Sequence, residues 1–172
     1  IAPLEQYEQV MDAYGIRHAL FVGPNSGYGL DNRCLLDTLA RGAGRFKGIA
    51  VVRNDIARDE LLRLRELGVI GVAFNATVMG VEHYAGTEPL LRTLVEQDML
   101  LSLQVEHDQL VALRPLVERS GVRMMIDHGG RPAPDRGIEQ PGFQALLALA
   151  RTGRVAVKLS GYQKFSALPP PY

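Results

Sequence analysis

Six short runs of β-branched or apolar residues recur along the chain, at His18 to Val22, Phe46 to Val52, Val69 to Phe74, Met99 to Val105, Val122 to Ile126 and Val155 to Leu159. Each has the length of a strand and little polar alternation, so each reads as a buried strand. Between them lie longer stretches with apolar residues at helical spacing. Leu61, Leu64 and Leu67 follow an acidic Asp59-Glu60 opening; Leu90, Leu91, Leu94 and Val95 form a second stripe, and Leu110, Leu113, Leu116 and Val117 a third. These are amphipathic helices that cover a sheet. Near-continuous apolar strands alternating with such helices imply a parallel sheet, curled progressively by right-handed crossovers.

The punctuation between elements agrees. Gly15, Gly68, Gly121 and Gly153 each stand just before a strand, where a left-handed residue ends the preceding helix. Pro115 falls inside one helical stretch, where it removes a backbone hydrogen bond and either kinks the helix or marks its real start.

Two architectures share this alternation. A doubly wound dinucleotide fold runs its first strand into a G-x-G-x-x-G turn, whereas here the corresponding segment is Gly23-Pro24-Asn25-Ser26-Gly27-Tyr28-Gly29, with a proline and no match. The other is the (β/α)8 barrel, which usually takes about 250 residues. The 172 residues are therefore read as one partial domain of the (β/α)8 TIM-barrel type, an α/β fold carrying about six of eight strands. Such an open sheet exposes two edges and part of its interior, which predicts ordered neighbours outside this numbering or a homo-oligomeric contact.

Composition narrows the function classes. Lysine plus arginine and aspartate plus glutamate are both 19, so no basic field draws in nucleic acid or anionic lipid. The single cysteine, Cys34, excludes an intramolecular disulfide framework and suits a reducing, cytoplasmic setting, and its place on a helix reads as packing. No apolar run is long enough for a membrane span. The opening Ile1-Ala2-Pro3 shows no signal peptide and no initiator methionine, an expectation of a chain that begins inside a longer product or was trimmed.

In parallel α/β folds the working groups sit at the C-terminal ends of strands. The first such end opens the Gly23 to Asn32 loop, where Asn25, Ser26 and Tyr28 offer amide and hydroxyl groups to a substrate; alternatively it is a tight turn with Asp31 or Asn32 capping the next helix. The third ends at Asn75 and enters a long loop with Met79, His83 and Tyr84. The fourth ends in Gln104-Val105-Glu106-His107-Asp108, with Gln104 and Glu106 on one side, His107 a metal-ligand candidate and Asp108 resembling a helix N-cap. The fifth carries the strongest signal, Ile126-Asp127-His128-Gly129-Gly130-Arg131-Pro132. Here an imidazole can polarise a carbonyl or bind a metal, and Arg131 can hold a carboxylate; the alternative is a core histidine beside a surface ion pair. In the sixth, Lys158 interrupts an apolar strand and either pairs with a buried acid or snorkels to a rim, while Lys164 lies beyond the strand as an oxyanion-stabilising cation or a plain surface lysine. No G-x-S-x-G elbow is present.

The Ile126 to Pro132 segment, together with Val157-Lys158-Leu159-Ser160-Gly161 and the Gly23 to Asn32 loop, resembles the amidohydrolase-related family of TIM-barrel hydrolases of the 2-pyrone-4,6-dicarboxylate lactonase kind. The likeness runs over essentially the whole chain, and its strands correspond in order to strands two through seven of that barrel. The resemblance implies that His128 is the active-site histidine and Arg131 a substrate-binding arginine. Lys164 falls where lactonase members tend to carry an arginine, keeping the charge but losing the bidentate fork. It also implies that this segment alone does not carry the whole reaction, because the family's strand-one His-x-His and strand-eight aspartate are missing; no aspartate follows Asp135. Where the dicarboxylate lactonases have an arginine, Ala73 stands here, which argues against a doubly anionic substrate.

The expected activity is hydrolysis of a lactone or similar small cyclic ester, with His128 and Lys164 catalytic and Arg131, Asn25, Ser26, Tyr28, Asn75 and Gln104 binding substrate. Two rivals stand beside it. One is a metal-dependent hydrolase or decarboxylase of the same superfamily, with His128 ligating a divalent metal such as zinc; the other is a non-catalytic barrel fragment. The residues leave the cofactor question open between one metal and none.

Overall fold

The computed structural model describes residues 3–164, 166, 168 and 169, apart from the Ser26 side chain. After α1 (Leu4–Ala13), the chain alternates β1 (Ala19–Val22), α2 (Asn25–Tyr28), α3 (Arg33–Arg41), β2 (Phe46–Ala50), α4 (Arg58–Glu66) and β3 (Val69–Asn75). It continues through α5 (Ala76–Met79), α6 (Glu88–Glu96), β4 (Leu100–Gln104), α7 (Gln109–Ser120), β5 (Arg123–Ile126), α8 (Pro141–Ala150) and β6 (Val155–Val157). The six strands pair in sequence order, every pair parallel, and β1 does not meet β6. The sheet is an open, curled half-barrel, as the alternation predicts.

All six expected strands form, most with ends trimmed by a residue or two. The last is the shortest: Lys158 leaves the strand although its amide still reaches Ile126 O at 2.9 Å, and Leu159 is 91% exposed. Glycines 15, 68, 121 and 153 all have positive φ, as their capping positions require. Helix α7 starts at Gln109 and runs through Pro115, so the proline does not mark its start; buried Leu110, Leu113, Leu116 and Val117 hold the helix on both sides of it. Cys34 departs from expectation. It is exposed, because the buried stripe of α3 is Leu35 and Leu39 and the neighbouring position is rotated away from it.

Strand alternation divides the side chains between two faces. Val72 and Phe74, Leu101 and Leu103, and Met124 and Ile126 join the helix stripes in one apolar core with Leu91, Leu94, Leu110 and Leu149. Burying each such side chain contributes about 1.5–3 kcal/mol. The opposite, inner face of the central strands is built from smaller and more polar groups. The register pairs Ala73 with Ser102 and Asn75 with Gln104, side by side. By alternation Gly71 belongs to this face with Ala73 and Asn75, and no side chain fits there, since a Cβ would lie 2.4 Å from the Leu100 carbonyl oxygen of the next strand.

The loops at the C-terminal rim are tied to their neighbours. The Asn32 amide donates to Val51 O at 2.8 Å and accepts from Val51 N at 3.2 Å, so it joins the first loop to the end of β2 instead of capping α3. Asp31 accepts the Arg33 N–H in the first turn of α3, and hydrogen bonds from the Arg33 side chain lower its carboxyl pKa to about 2. Asp108 precedes α7 but caps the next helix: its Oδ1 accepts the Gly142 amide of α8 at 2.9 Å. Gly142 sits so close to this turn that a Cβ would be 1.8 Å from His107 O. Gln109 accepts the Glu106 amide and donates to Ala76 O, both at 3.0 Å. Among the described residues no helix is long and apolar enough to cross a membrane.

Candidate active site

Beyond β5 the chain makes an unusual turn. His128, Gly129, Gly130 and Arg131 have φ of 54°, 64°, 75° and 45°, four consecutive left-handed residues. Glycine adopts this region freely, but histidine and arginine do so at a cost of order 1–3 kcal/mol each. The turn is held from both sides: Gly129 N donates to Lys158 O at 3.0 Å, and Arg131 O accepts His107 N at 3.0 Å. The strained pair is thus fixed by the loops after β4 and β6, and the turn delivers an imidazole and a guanidinium to one rim.

Around His128 the packing is tight. Its Nδ1 lies 3.1 Å from Ser160 Oγ, and a Cβ on Gly161 would come within 2.4 Å of that same nitrogen. Burial lowers the His128 pKa below its ordinary 6.5; Asp127 opposes the shift, and Lys158, Lys164 and Arg131 add to it. The imidazole is therefore neutral at pH 7, able to donate from one nitrogen and accept at the other.

The neighbouring charges are paired in part. Asp127 is buried and its Oδ1 lies 2.8 Å from Lys158 Nζ, in a charge contact without the alignment of a directed hydrogen bond. Both readings of Lys158 hold together, since it meets a buried acid while remaining 33% exposed at the cleft. Arg131 reaches Glu106 at 3.0 Å, leaving its Nε buried without a hydrogen-bond partner. Among the described residues no carboxylate pairs with exposed Lys164. Three cations facing two carboxylates leave a positive field that suits an anionic group or a developing oxyanion.

Across the cleft the groups are neutral. Thr77 Oγ1 donates to Asn75 Oδ1 at 2.7 Å and accepts from Gln104 Nε2 at 3.2 Å, while Asn75 Nδ2 approaches Asn25 Oδ1 at 3.4 Å. The Asn75 backbone N–H donates to Tyr84 Oη at 2.6 Å.

The cleft enclosed by these groups has a volume of about 470 Å³, and Asn25, Asn75, Gln104, His128, Arg131 and Lys164 all line it. Those six expected residues, drawn from loops far apart in sequence, are brought together. Tyr28 is exposed and is not on the wall, and Ser26's side chain lies outside the described residues. Thr77, Ser102, Asp127 and Ser160 join the site without having been expected there, Asp127 and Ser160 although they lie within the segments that carry the family resemblance. Ser102 had a readable signal, a polar residue interrupting an apolar strand; it is buried and its Oγ lacks a partner. Thr77 carries none, and Ser160 only its place in the Val157 to Gly161 segment, because the fold alone sets them against Gln104 and His128.

His107 is exposed, its backbone engaged by Arg131 and packed against Gly142. Among the described residues no three His, Cys, Asp or Glu side chains converge to hold a metal ion. Among the described residues His128 has one adjacent carboxylate and three surrounding cations, which by themselves do not make the donor set of a divalent metal.

The fold recurs among known proteins. Over 99% of its length the chain is 30% identical to a 4-sulfomuconolactone hydrolase of Hydrogenophaga intermedia, covering 57% of that protein. A Pseudomonas putida crystal structure, provisionally assigned as a 2-pyrone-4,6-dicarboxylic acid hydrolase, superposes with a TM-score of 0.83 at 35% identity, over 98% of this chain and 62% of that one. An Acinetobacter baumannii structure given the same provisional assignment, with citric acid bound, superposes with a TM-score of 0.84 at 27% identity, over 98% of this chain and 66% of that one. The chain therefore spans between about half and two thirds of the length of these relatives. The Amidohydrolase family profile matches residues 1–172, and the chain belongs to that family.

Proposed function

We propose that the protein hydrolyses a lactone or similar small cyclic ester. The observation that carries this reading is the neutral His128 held among Lys158, Lys164 and Arg131 on one cleft wall. If Ser160 donates its hydroxyl proton to Nδ1, the imidazole carries its own proton on Nε2 and becomes a donor to the ester carbonyl. As water adds and the carbonyl oxygen gains charge, that donor and the Lys164 ammonium stabilise the oxyanion, and collapse of the adduct breaks the ring C–O bond. Arg131 holds a carboxylate of the substrate, and Asn25, Asn75 and Gln104 orient its neutral oxygens. Asp127 and Glu106 are each engaged by a cation, so the base that activates water is assigned to a part of the whole protein outside these residues.

Support comes from the activities of the relatives, 4-sulfomuconolactone and 2-pyrone-4,6-dicarboxylate hydrolysis, and from the cleft's charge. The test is proton release by the whole protein on a panel of five- and six-membered lactones. Turnover that collapses in His128→Ala is expected. A wild-type protein inert on every lactone, or a His128→Ala variant of undiminished rate, would sink the reading.

A further inference from the structure

A second cavity, of about 440 Å³, opens beside the first, and the two share Asn25, Ala73 and Val78 in their walls. The two lobes differ in chemistry. The first is ringed by Lys158, Lys164 and Arg131, whereas the second is walled largely by Leu30, Val51, Val52, Val78 and Met79. Among the described residues Arg53 is the one basic residue other than His83 on the second wall, and Asp55 neutralises it through two bonds of 2.8 Å. Asn54 donates to the His83 carbonyl, and the Tyr84 hydroxyl oxygen takes the Asn75 amide, so these polar groups are already engaged within the protein. The residues common to both lobes are Asn25, Ala73 and Val78, an amide, a methyl and an isopropyl group, and among the described residues no cation is shared by the two walls.

We infer that the second lobe is a subsite for an apolar substituent of the substrate, so that the preferred substrate is a lactone bearing an alkyl or aryl group on the side away from Arg131, and not a second carboxylate or a sulfonate. This deepens the proposed function and rests on the lactone ring lying under His128. A carboxylate pushed into the second lobe would lose its hydration beside aliphatic groups with no unpaired cation to compensate, while an alkyl chain gains from leaving water. The volume accommodates a chain of several carbons without disturbing the ring.

The test uses the whole protein and γ-lactones that differ only in the ring substituent: hydrogen, methyl, propyl, pentyl and carboxymethyl. An increase in kcat/KM of roughly fourfold per methylene is expected up to the length of the lobe, with the carboxymethyl lactone well below propyl. Val78→Arg, at a position 66% exposed and outside the catalytic group, should invert that order, costing the pentyl lactone about tenfold and favouring the carboxymethyl one. A flat chain-length profile, or a carboxymethyl lactone preferred by the unaltered protein, overturns the subsite. If no lactone is turned over, the hydrolase reading fails on its own. The subsite is then decided by calorimetric binding of the matching lactams, where tighter binding with chain length supports it and equal binding overturns it.

Discussion

The rim over β5 and β6 and the rim over β3 face each other across one cleft, yet they are built on opposite principles. On the first, strain and charge are concentrated: four left-handed residues in a row, a buried aspartate against a lysine, and an imidazole held neutral. On the second, amides and a hydroxyl satisfy one another at ordinary distances and carry no net charge. The difference separates tasks. Groups that change their interactions during a reaction are held by neighbouring loops at energetic cost, whereas groups that orient a substrate sit in a network stable without it.

If that division is right, perturbing the charged rim damages the rate and perturbing the neutral rim mostly does not. The largest effect is expected from His128→Ala, a fall in kcat of about 10³ from loss of the donor to the carbonyl, measured by steady-state lactone hydrolysis with unchanged circular dichroism. Next is Gly161→Ala, whose added methyl would collide with His128 Nδ1. Displacing the ring should cost about 10² in kcat, and a crystal structure of the variant should show the imidazole moved. Lys158→Met leaves Asp127 buried without its cation and should cost about 2 kcal/mol by urea unfolding, the partial exposure of the lysine moderating a penalty that full burial would enlarge. The double variant Asp127→Asn with Lys158→Met should recover much of that loss.

A pH profile sharpens the same contrast. Burial, reinforced by the surrounding cations, holds the folded-state pKa of His128 below 6.5. The neutral imidazole therefore persists above that value. Activity, and the stability this group contributes, are present there and are lost as the pH falls through the depressed folded-state pKa. Lys164→Gln removes one of those cations and should move the acidic limb of kcat/KM to higher pH. The smallest effect is expected on the neutral side: Thr77→Val breaks two hydrogen bonds of the Asn75–Gln104 link, costing about 1 kcal/mol in stability and only a few-fold in KM. A large kcat loss in that variant would erase the distinction between the rims.

Much of this architecture is legible in the sequence alone. Parallel strands buried on both faces are largely apolar, so Val69 to Phe74 and Met99 to Val105 stand out in the chain as strands, and Gly68 before the first of them marks a helix end; before the second, Asp98 takes the positive φ that no glycine advertises. The Asp127 to Arg131 segment was visible because a strand running into charged residues and two glycines has no reason to exist in a plain covering loop. Its geometry was not visible, since two of the four left-handed positions are occupied by residues that disfavour that conformation. The Lys158–Asp127 contact was half legible, as a lysine in an apolar strand demands an explanation but does not name its partner. Asp108 shows the limit of local reading. Its place before α7 spells a cap for that helix, and tertiary packing instead sends its carboxylate to α8.

The ties between rim loops also bear on how such a protein can change over time. Asn32, Asp108 and Gln109, which bind one loop to the next, lie off the walls of both cavities, whereas Ala73, Val78 and Met79 on those walls are apolar and take no part in holding the loops. The apolar part of the wall is thus written on residues other than these three ties. A lineage can exchange the wall for one that welcomes a different ring substituent while the frame that aims His128 is inherited intact.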